Sequence, residues 1–488
     1  MQKIETYKID LVQIARQAML AKGLQPDFPT EAVAQLNTIH APASCDSTTV
    51  DMTDKLWFSI DNDDSLDLDQ LTYAERMDNH LIRIYVAIAD VDVLVPKDSP
   101  IDEHAFANTT SVYTPMIIFS MLPEKLSTNY TSLNPDERRI AMVVQMDVDE
   151  NGKVIDQKIF RSCVFNYAKL AYNSVGPWLE NQSPPPEPVA RVKDLPSQIR
   201  LQDEAAQRLK KYRHQAGALT FETYDPQPVI KNGTIVDIQD VKINRARELI
   251  ENFMIAANTS VTLFLEKQRY PTIKRVVKEP KRWDRIVQVA AEYGEKLPPQ
   301  PDSKALEAFL IKMRAQDPLR FPDLSLMIIK LLGRGEYIVQ VPSDEPVGHF
   351  ALSLMNYTHA TAPNRRYPDL ITQRILKSFL NKTPLPYSLH SLQEIVSSCT
   401  DKETRADKVK RSVMKSVIAV YLKDSVGKIF DAFVTGASEK GTWVRLISTA
   451  IEGKLVAGYQ NIDVGEKIKV RLSYVNIEKG FLDFERVE

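Results

Sequence analysis

Residues 60–71 read IDNDDSLDLDQL. Five aspartates, Asp61, Asp63, Asp64, Asp67 and Asp69, fall within nine positions, and Leu66 and Leu68 flank Asp67. Apolar residues alternating with acids mark a tight, partly buried segment, unlike a solvated acidic tail. Carboxylates held that close repel one another, so they stay partly protonated or share a divalent cation. A hard cation such as Mg²⁺ is held by one or two carboxylates together with substrate phosphates and several waters. The stretch therefore points to phosphoryl chemistry. An EF-hand calcium loop needs Gly at its sixth position and Glu at its twelfth. Counted from Asp61 these are Leu66 and Thr72, which excludes that loop. A polar turn without ligands is the plainer alternative.

Outward from the acids the pattern is that of strands. LWFSI leads in. LIRIYVAIADVDVLV (81–95) reads as a long central strand, and IAMVVQMDV (140–148) as another. NGK at 151–153 reads as a hairpin turn into VIDQKIFRSCVF. One sheet-rich unit thus surrounds the acidic stretch. Before it, Leu11, Ile14, Ala15, Ala18 and Met19 recur at helical spacing until Gly23, and residues 31–39 read as a second short helix. The pair is either a helix-turn-helix module on nucleic acid or a packing collar, and the lack of a basic recognition helix favours the collar.

After the sheet, NQSPPPEP (181–188) reads as a stiff exposed loop. Residues 199–218 form a basic helix, LTFETYDPQPVI with the NGT turn (219–234) a hairpin, and residues 245–268 a long buried helix. Helical segments continue to about residue 335, residues 349–370 enter another helix, and 394–423 is basic and amphipathic. From 426 onward five short strands with Gly turns suit an OB-type barrel, in which Phe433 and Trp443 are either base-stacking platforms or core.

Composition sets the outer bounds. At roughly 100–200 residues per domain, 488 residues are too many for one core. A hydrophobic fraction of 43% with 26% charged residues is that of a soluble globular protein. No apolar run is long enough to span a bilayer, and MQKIETYKID lacks the apolar core of a secretory leader. Cys45, Cys163 and Cys399 match no metal spacing, so all three are expected to be buried thiols in a reducing cytoplasm. The formal charge is only −2, yet residues 1–160 carry 13 Lys/Arg against 26 Asp/Glu, a balance of −13, leaving +11 behind them. That asymmetry suits a metal site backed by a phosphate-binding surface, or simply solvated helix faces.

IDNDDSLDLDQ, VAIADV, TSVYTP with MLPEKLS, ENFMIAAN and APNRRYPDL occur in the order of one family. Together they resemble the ribonuclease II family of hydrolytic 3′-to-5′ exoribonucleases, which includes the ribonuclease R group. The resemblance spans about residues 55–425, and the barrel continues it. It implies an α+β chain: a helical module at 1–50, a mixed α/β catalytic domain of RNB type at 51–425, and a five-stranded OB barrel at 426–488. It implies processive, Mg²⁺-dependent hydrolysis of single-stranded RNA from 3′ ends to nucleoside 5′-monophosphates, by a monomer in the cytoplasm, with Mn²⁺ the other oxygen-seeking ion.

By the same resemblance, Asp61, Asp67 and Asp69 match three of the family's four metal-binding aspartates. The fourth position holds Gln70, an oxygen ligand without charge, with Asp63 or Asp64 as substitutes for the missing charge. Asp69 would orient the attacking water, Arg365 would brace the scissile phosphate, and Glu403 matches a glutamate near the same place. Tyr113 and Phe221 resemble the aromatic pair that stacks on terminal bases; Tyr172 and Glu251 resemble the readers of the ribose 2′-hydroxyl. Departures are Asn364, where an aliphatic residue is usual, Asn252, where a second Glu is usual, and a front too short for a cold-shock barrel. Gln70 alone speaks for a scaffold that grips RNA ends without cutting them. A sugar-nucleotide enzyme using Asp67-Leu68-Asp69 is a third, weaker alternative.

Overall fold

The computed structural model describes residues 10–231, 234–438, 441–447, 449 and 451–487. Its centre is a six-stranded sheet. The short β1 (Val50–Asp51), β2 (Trp57–Asp61), β3 (Gln70–Arg76) and β4 (Ile82–Ala89) come first in the chain. A small hairpin of β5 (Val112–Tyr113) and β6 (Ile118–Phe119) intervenes before β7 (Arg138–Val148) and β8 (Val154–Ala171). The order is β1-β8-β2-β3-β4-β7. The eighteen-residue β8 pairs antiparallel with β7 along its first part and parallel with β2 along its last. One strand therefore joins both edges of β2-β3-β4-β7, and the sheet curls round.

Both faces of β4 and β7 are covered, which is why these strands read as continuous apolar runs without alternation. The strand expected over 81–95 stops at Ala89. Asp90 and Asp92 need cations, and they find Arg161, Lys377 and Arg374. Those ion pairs draw the chain out of the ladder into a turn closed by Val95 N–H to Val91 O. The turn at 151–153 forms as expected. Gly152 sits at φ +86°, and a Cβ there would lie 1.9 Å from the Arg208 carbonyl oxygen, so both conformation and space require glycine.

The Arg245–Lys267 helix is capped by Asn244, whose side chain accepts from Arg247 N–H. It buries Leu249, Phe253, Ala257 and Val261 against the sheet. The expected basic helix begins earlier, at Leu195, because Pro196 fits the first turn, and it ends on Gly217 at φ +100°. The proline-rich stretch is exposed through Pro185, and Glu187–Ala190 makes one helical turn. The hairpin of β9 (Pro226–Lys231) and β10 (Thr234–Asp240) is present; its turn residues 232–233 lie outside the described ones. β11 (Thr272–Val276) pairs with β12 (Glu336–Gln340). Between them the helices Trp283–Glu292, Ser303–Gln316 and Phe321–Leu332 close over their own core of Trp283, Ile286, Phe309 and Ile328.

Residues 1–9 of the expected helical front also lie outside the described residues. The Leu11–Ala21 helix and the turn after it pack Ala15, Met19 and Leu24 onto Val112, Phe119 and Val409. Burying Met19 and Leu24 is worth about 1.5–3 kcal/mol each, enough to hold the segment as a collar on the 389–422 helix. The C-terminal strands β13 (Ile429–Ser438), β14 (Gly441–Leu446), β15 (Glu452–Ala457), β16 (Lys467–Asn476) and β17 (Phe481–Val487) close into a barrel ordered β13-β14-β15-β17-β16. Arg445 ties it to the helical unit through a two-pronged bond to Asp323, at 3.0 and 2.7 Å. Among the described residues no helix is long and apolar enough to cross a membrane.

One expectation is corrected outright. Cys45 and Cys163 are not free thiols but a disulfide, and only Cys399 is free and buried. The pairing was invisible in the sequence because 118 positions separate the partners. Only the pairing of β1 with β8 brings the segment after the second helix beside Cys163.

Candidate active site

Asp61 ends β2 and Gln70 opens β3, so the acidic stretch is the loop between two strands of the central sheet. Ser132 straps it down: its hydroxyl donates to the Leu66 carbonyl and accepts from Leu68 N–H, each at 2.9 Å. Leu68 is buried, but Leu66 is 57% exposed, so the expected apolar alternation holds on one side of Asp67 only. Asn62, Asp63 and Asp64 face solvent. Asp63 accepts from the Asn173 side chain at 2.8 Å.

Asp69 is the buried member, 1% exposed. Its carboxylate accepts from the Asn364 N–H at 3.1 Å and from Arg365 Nε at 2.9 Å. Burial pushes this carboxyl up to about 7; Arg365 draws it back, and the neighbouring Asp67 charge adds to the rise. Arg365 keeps 40% of its side chain open. Burial opposes its charge, but the Asp69 carboxylate and the Tyr113 hydroxyl hold the guanidinium firmly protonated. Asp61 accepts from Asn62 N–H at 2.7 Å and Ser65 Oγ at 3.0 Å. Burial raises its pKa too, and Asp67 again contributes. Asp67 itself accepts a hydrogen bond from the Tyr113 hydroxyl.

Asn364 is wholly buried, and its side-chain oxygen accepts from the Thr131 hydroxyl. An aliphatic residue there would leave Thr131 only its bond to the Leu126 carbonyl. Asn252 is likewise buried, accepting from Arg213 at 2.8 Å and donating to the Glu248 carbonyl at 2.7 Å.

The other expected site residues divide into two sets. Tyr172 stands beside the acids: burial and then the Asp61 charge raise its phenol, and the Arg247 guanidinium lies 4.4 Å from its ring centre. Glu251 is exposed one helical turn beyond Arg247, on the same side of the helix. Glu403 is engaged elsewhere, by Arg275 Nη1 at 2.6 Å, with Arg275 also stacked on Tyr337. Phe221 is half-buried against the helical unit's core and makes no aromatic contact with Tyr113. Gln70 is 8% exposed, pairs with Ile88 in the ladder, and makes no side-chain hydrogen bond among the described residues. Sequence reasoning missed Arg247, Arg275 and the Tyr113–Asp67 bond. Only the first left a trace, as a cation four residues before Glu251.

Tyr113 also lines a groove of about 840 Å³ between the β5–β6 hairpin, the helical unit, the 389–422 helix and the barrel. Lys330, Lys410, Arg411, Tyr224 and Tyr293 line it as well, while Arg445 is committed to Asp323 and Phe433 is buried. Such a mixture of cations and aromatic faces accommodates a phosphate backbone and its bases.

The acids suit a hard divalent cation in kind, since carboxylate oxygens are its preferred donors. The upward-shifted Asp61 and Asp69, with Asp67 repelling both, leave negative charge that a cation would neutralise. Yet among the described residues no three His, Cys, Asp or Glu side chains converge as a ligand cluster. Asp67 accepts from Tyr113 and Asp69 from Arg365.

A model of the RNB domain matches residues 49–382, and one of the RNase II-type exonuclease C-terminal S1 domain matches 428–487. Ribonuclease R 1 of Lactococcus lactis is 28% identical over 510 positions, covering 98% of this chain and 61% of the relative. Ribonuclease R of Escherichia coli is 28% identical over 525 positions, covering 99% and 61%. The chain thus spans about three-fifths of the length of these relatives. Mycoplasma genitalium RNase R, solved with ribose-methylated single-stranded RNA, superposes with a TM-score of 0.87 at 21% identity. That superposition covers 98% of this chain and 78% of the other, and it establishes the shared fold.

Proposed function

Because the chain belongs to the RNB-domain family, whose model matches residues 49–382, we propose that it hydrolyses single-stranded RNA from the 3′ end, releasing nucleoside 5′-monophosphates with Mg²⁺ or Mn²⁺ bound. The observation that carries this reading is the pairing of buried Asp69 with the half-open Arg365, beside two further acids and a cation-lined groove. A buried carboxylate held above its usual range beside a charge partner and a groove is a recurrent mark of functional sites.

In this reading RNA enters along the groove, its phosphates meeting Lys330, Lys410 and Arg411. Tyr113, its hydroxyl anchored on Asp67, presents a ring face for a terminal base. Phe221 supplies the second face after the terminal segment seats against the helical unit. Tyr172 and Glu251 meet the ribose 2′-hydroxyl, which selects RNA over DNA. Arg365 exchanges part of its bond to Asp69 for the scissile phosphate and braces the charge that builds there. Asp69, freed in turn, orients the attacking water. Asp61, Asp67 and Asp69, with Gln70 as the uncharged fourth, would hold the metal. When bound, a divalent cation neutralises phosphoryl oxygens and lowers the pKa of water. Glu403, held by Arg275, touches none of these groups and would act only indirectly. Repeated steps without release make the reaction processive, and one chain supplies every residue named, consistent with a monomer.

The test is 5′-labelled single-stranded RNA incubated with Mg²⁺ or with chelator. Progressive shortening from the 3′ end is expected only with metal, and Asp69→Asn is expected to bind RNA without shortening it. Intact RNA, or an Asp69→Asn enzyme working at the wild-type rate, overturns the proposal. Gln70 favours one second reading, a protein that grips RNA ends without hydrolysis; binding with no cleavage in the same assay would select it.

A further inference from the structure

The first turn of the Arg245–Lys267 helix holds Tyr172 from two directions. Asn244 accepts the Arg247 N–H at 3.0 Å and donates from Nδ2 to the Tyr172 carbonyl at 2.9 Å. The approach is close enough that a Cβ on Gly176 would lie 2.4 Å from the Asn244 side chain. Arg247 then lays its guanidinium over the Tyr172 ring and donates from Nη2 to Asn62 Oδ1 at 2.8 Å. Asn62 directly follows Asp61, and its own N–H holds the Asp61 carboxylate at 2.7 Å. One planar group therefore links the aromatic side chain to the acidic loop. A guanidinium can stack and donate in its plane at once, which an ammonium cannot.

Arg247 Nε is buried with no hydrogen-bond partner among the described residues. Buried donors are nearly always paired, and an exception calls for a functional account. Arg139, Arg213 and Arg366 leave the same atom unpaired, so it is the stacking on Tyr172 and the bond to Asn62 that mark Arg247 out.

Resting on the reading in which Tyr172 and Glu251 meet the terminal ribose, we propose that Arg247 is the positioning residue that sets discrimination between ribose and deoxyribose ends. It fixes the distance and tilt of Tyr172 relative to Asp61. Without it the ring swings away from the sugar, and the 2′-hydroxyl loses its partner while phosphate contacts in the groove persist.

The experiment measures equilibrium binding by fluorescence anisotropy in chelator, so that hydrolysis is not required. The probes are an oligoribonucleotide and the same oligomer with 2′-deoxyribose at its 3′-terminal nucleotides. Wild type is expected to prefer the ribose end. Arg247→Ala is expected to lower that preference by about 3- to 30-fold, the range for losing a partly desolvated cation–π contact. Arg247→Lys is expected to stay impaired, and adding Arg247→Ala to Tyr172→Ala should cost no further preference. Should Arg247→Ala fail to fold, Asn62→Ala removes the same anchor and is expected to lower the preference in the same direction. An unchanged ratio in Arg247→Ala or in Asn62→Ala, full recovery in Arg247→Lys, or a wild type without preference overturns the inference. Adding Mg²⁺ to the same samples reads hydrolysis separately, so loss of the catalytic reading would not be mistaken for loss of this one.

Discussion

Asp69→Asn is expected to stabilise the protein, and the gain should grow as pH rises. The Asp69 carboxyl is held at about 7 in the folded chain against an ordinary 3.8, chiefly by burial. A group whose folded pKa is raised contributes fully below its unfolded value and loses that contribution as pH rises through the folded one. Between pH 5 and pH 8 the unfolded chain is already ionised at this position, whereas the folded chain must give up the proton. At about 1.4 kcal/mol per tenfold step, the wild type should lose about 3 kcal/mol over that interval through Asp69 alone. Asparagine has nearly the same shape and does not titrate. Any constant cost of the substitution, including a poorer fit to Arg365, cancels when two pH values are compared. Other carboxylates shift the opposite way, Glu204 and Glu307 among them, so the readout is the difference between the two proteins. The assay is urea unfolding of both in chelator at pH 5 and pH 8. A gap that stays constant or narrows with rising pH would refute the reasoning, because Asp69 would then carry no charge against its burial.

Three more outcomes are expected. Thr131→Val should cost about 1–3 kcal/mol by leaving the buried Asn364 oxygen without its donor, and adding Asn364→Leu should recover most of that in urea unfolding; simply additive costs would dissolve the pair. Gln70→Asp should lower the Mg²⁺ concentration for half-maximal hydrolysis by about three- to tenfold, the effect of one more charged ligand, whereas an unchanged value would place residue 70 outside the metal site. In denaturant without reductant, a thiol reagent should find one reactive cysteine, Cys399, and three after reduction; three before reduction would remove the Cys45–Cys163 bond.

The sequence by itself determined the α+β class, the helical front, the closing barrel and the acidic loop. Each of these is written in local periodicity: apolar runs where both strand faces are covered, 3.6-residue spacing where one helix face is, and five acids in nine positions. It also supplied Arg365, through a motif that happens to be continuous in the chain. What only the tertiary structure decided depends on residues far apart meeting. Asp69 and Arg365 are 296 positions apart, and their bond exists because the 362–366 turn packs against the end of the sheet. The disulfide, the early end of β4 at Asp90 and the Arg275–Glu403 pair arise the same way. The Arg247 bridge joins a helix to a loop 185 positions earlier. A charge finds its counter-charge through space, and burial sets its proton affinity; neither quantity is defined until the chain has folded.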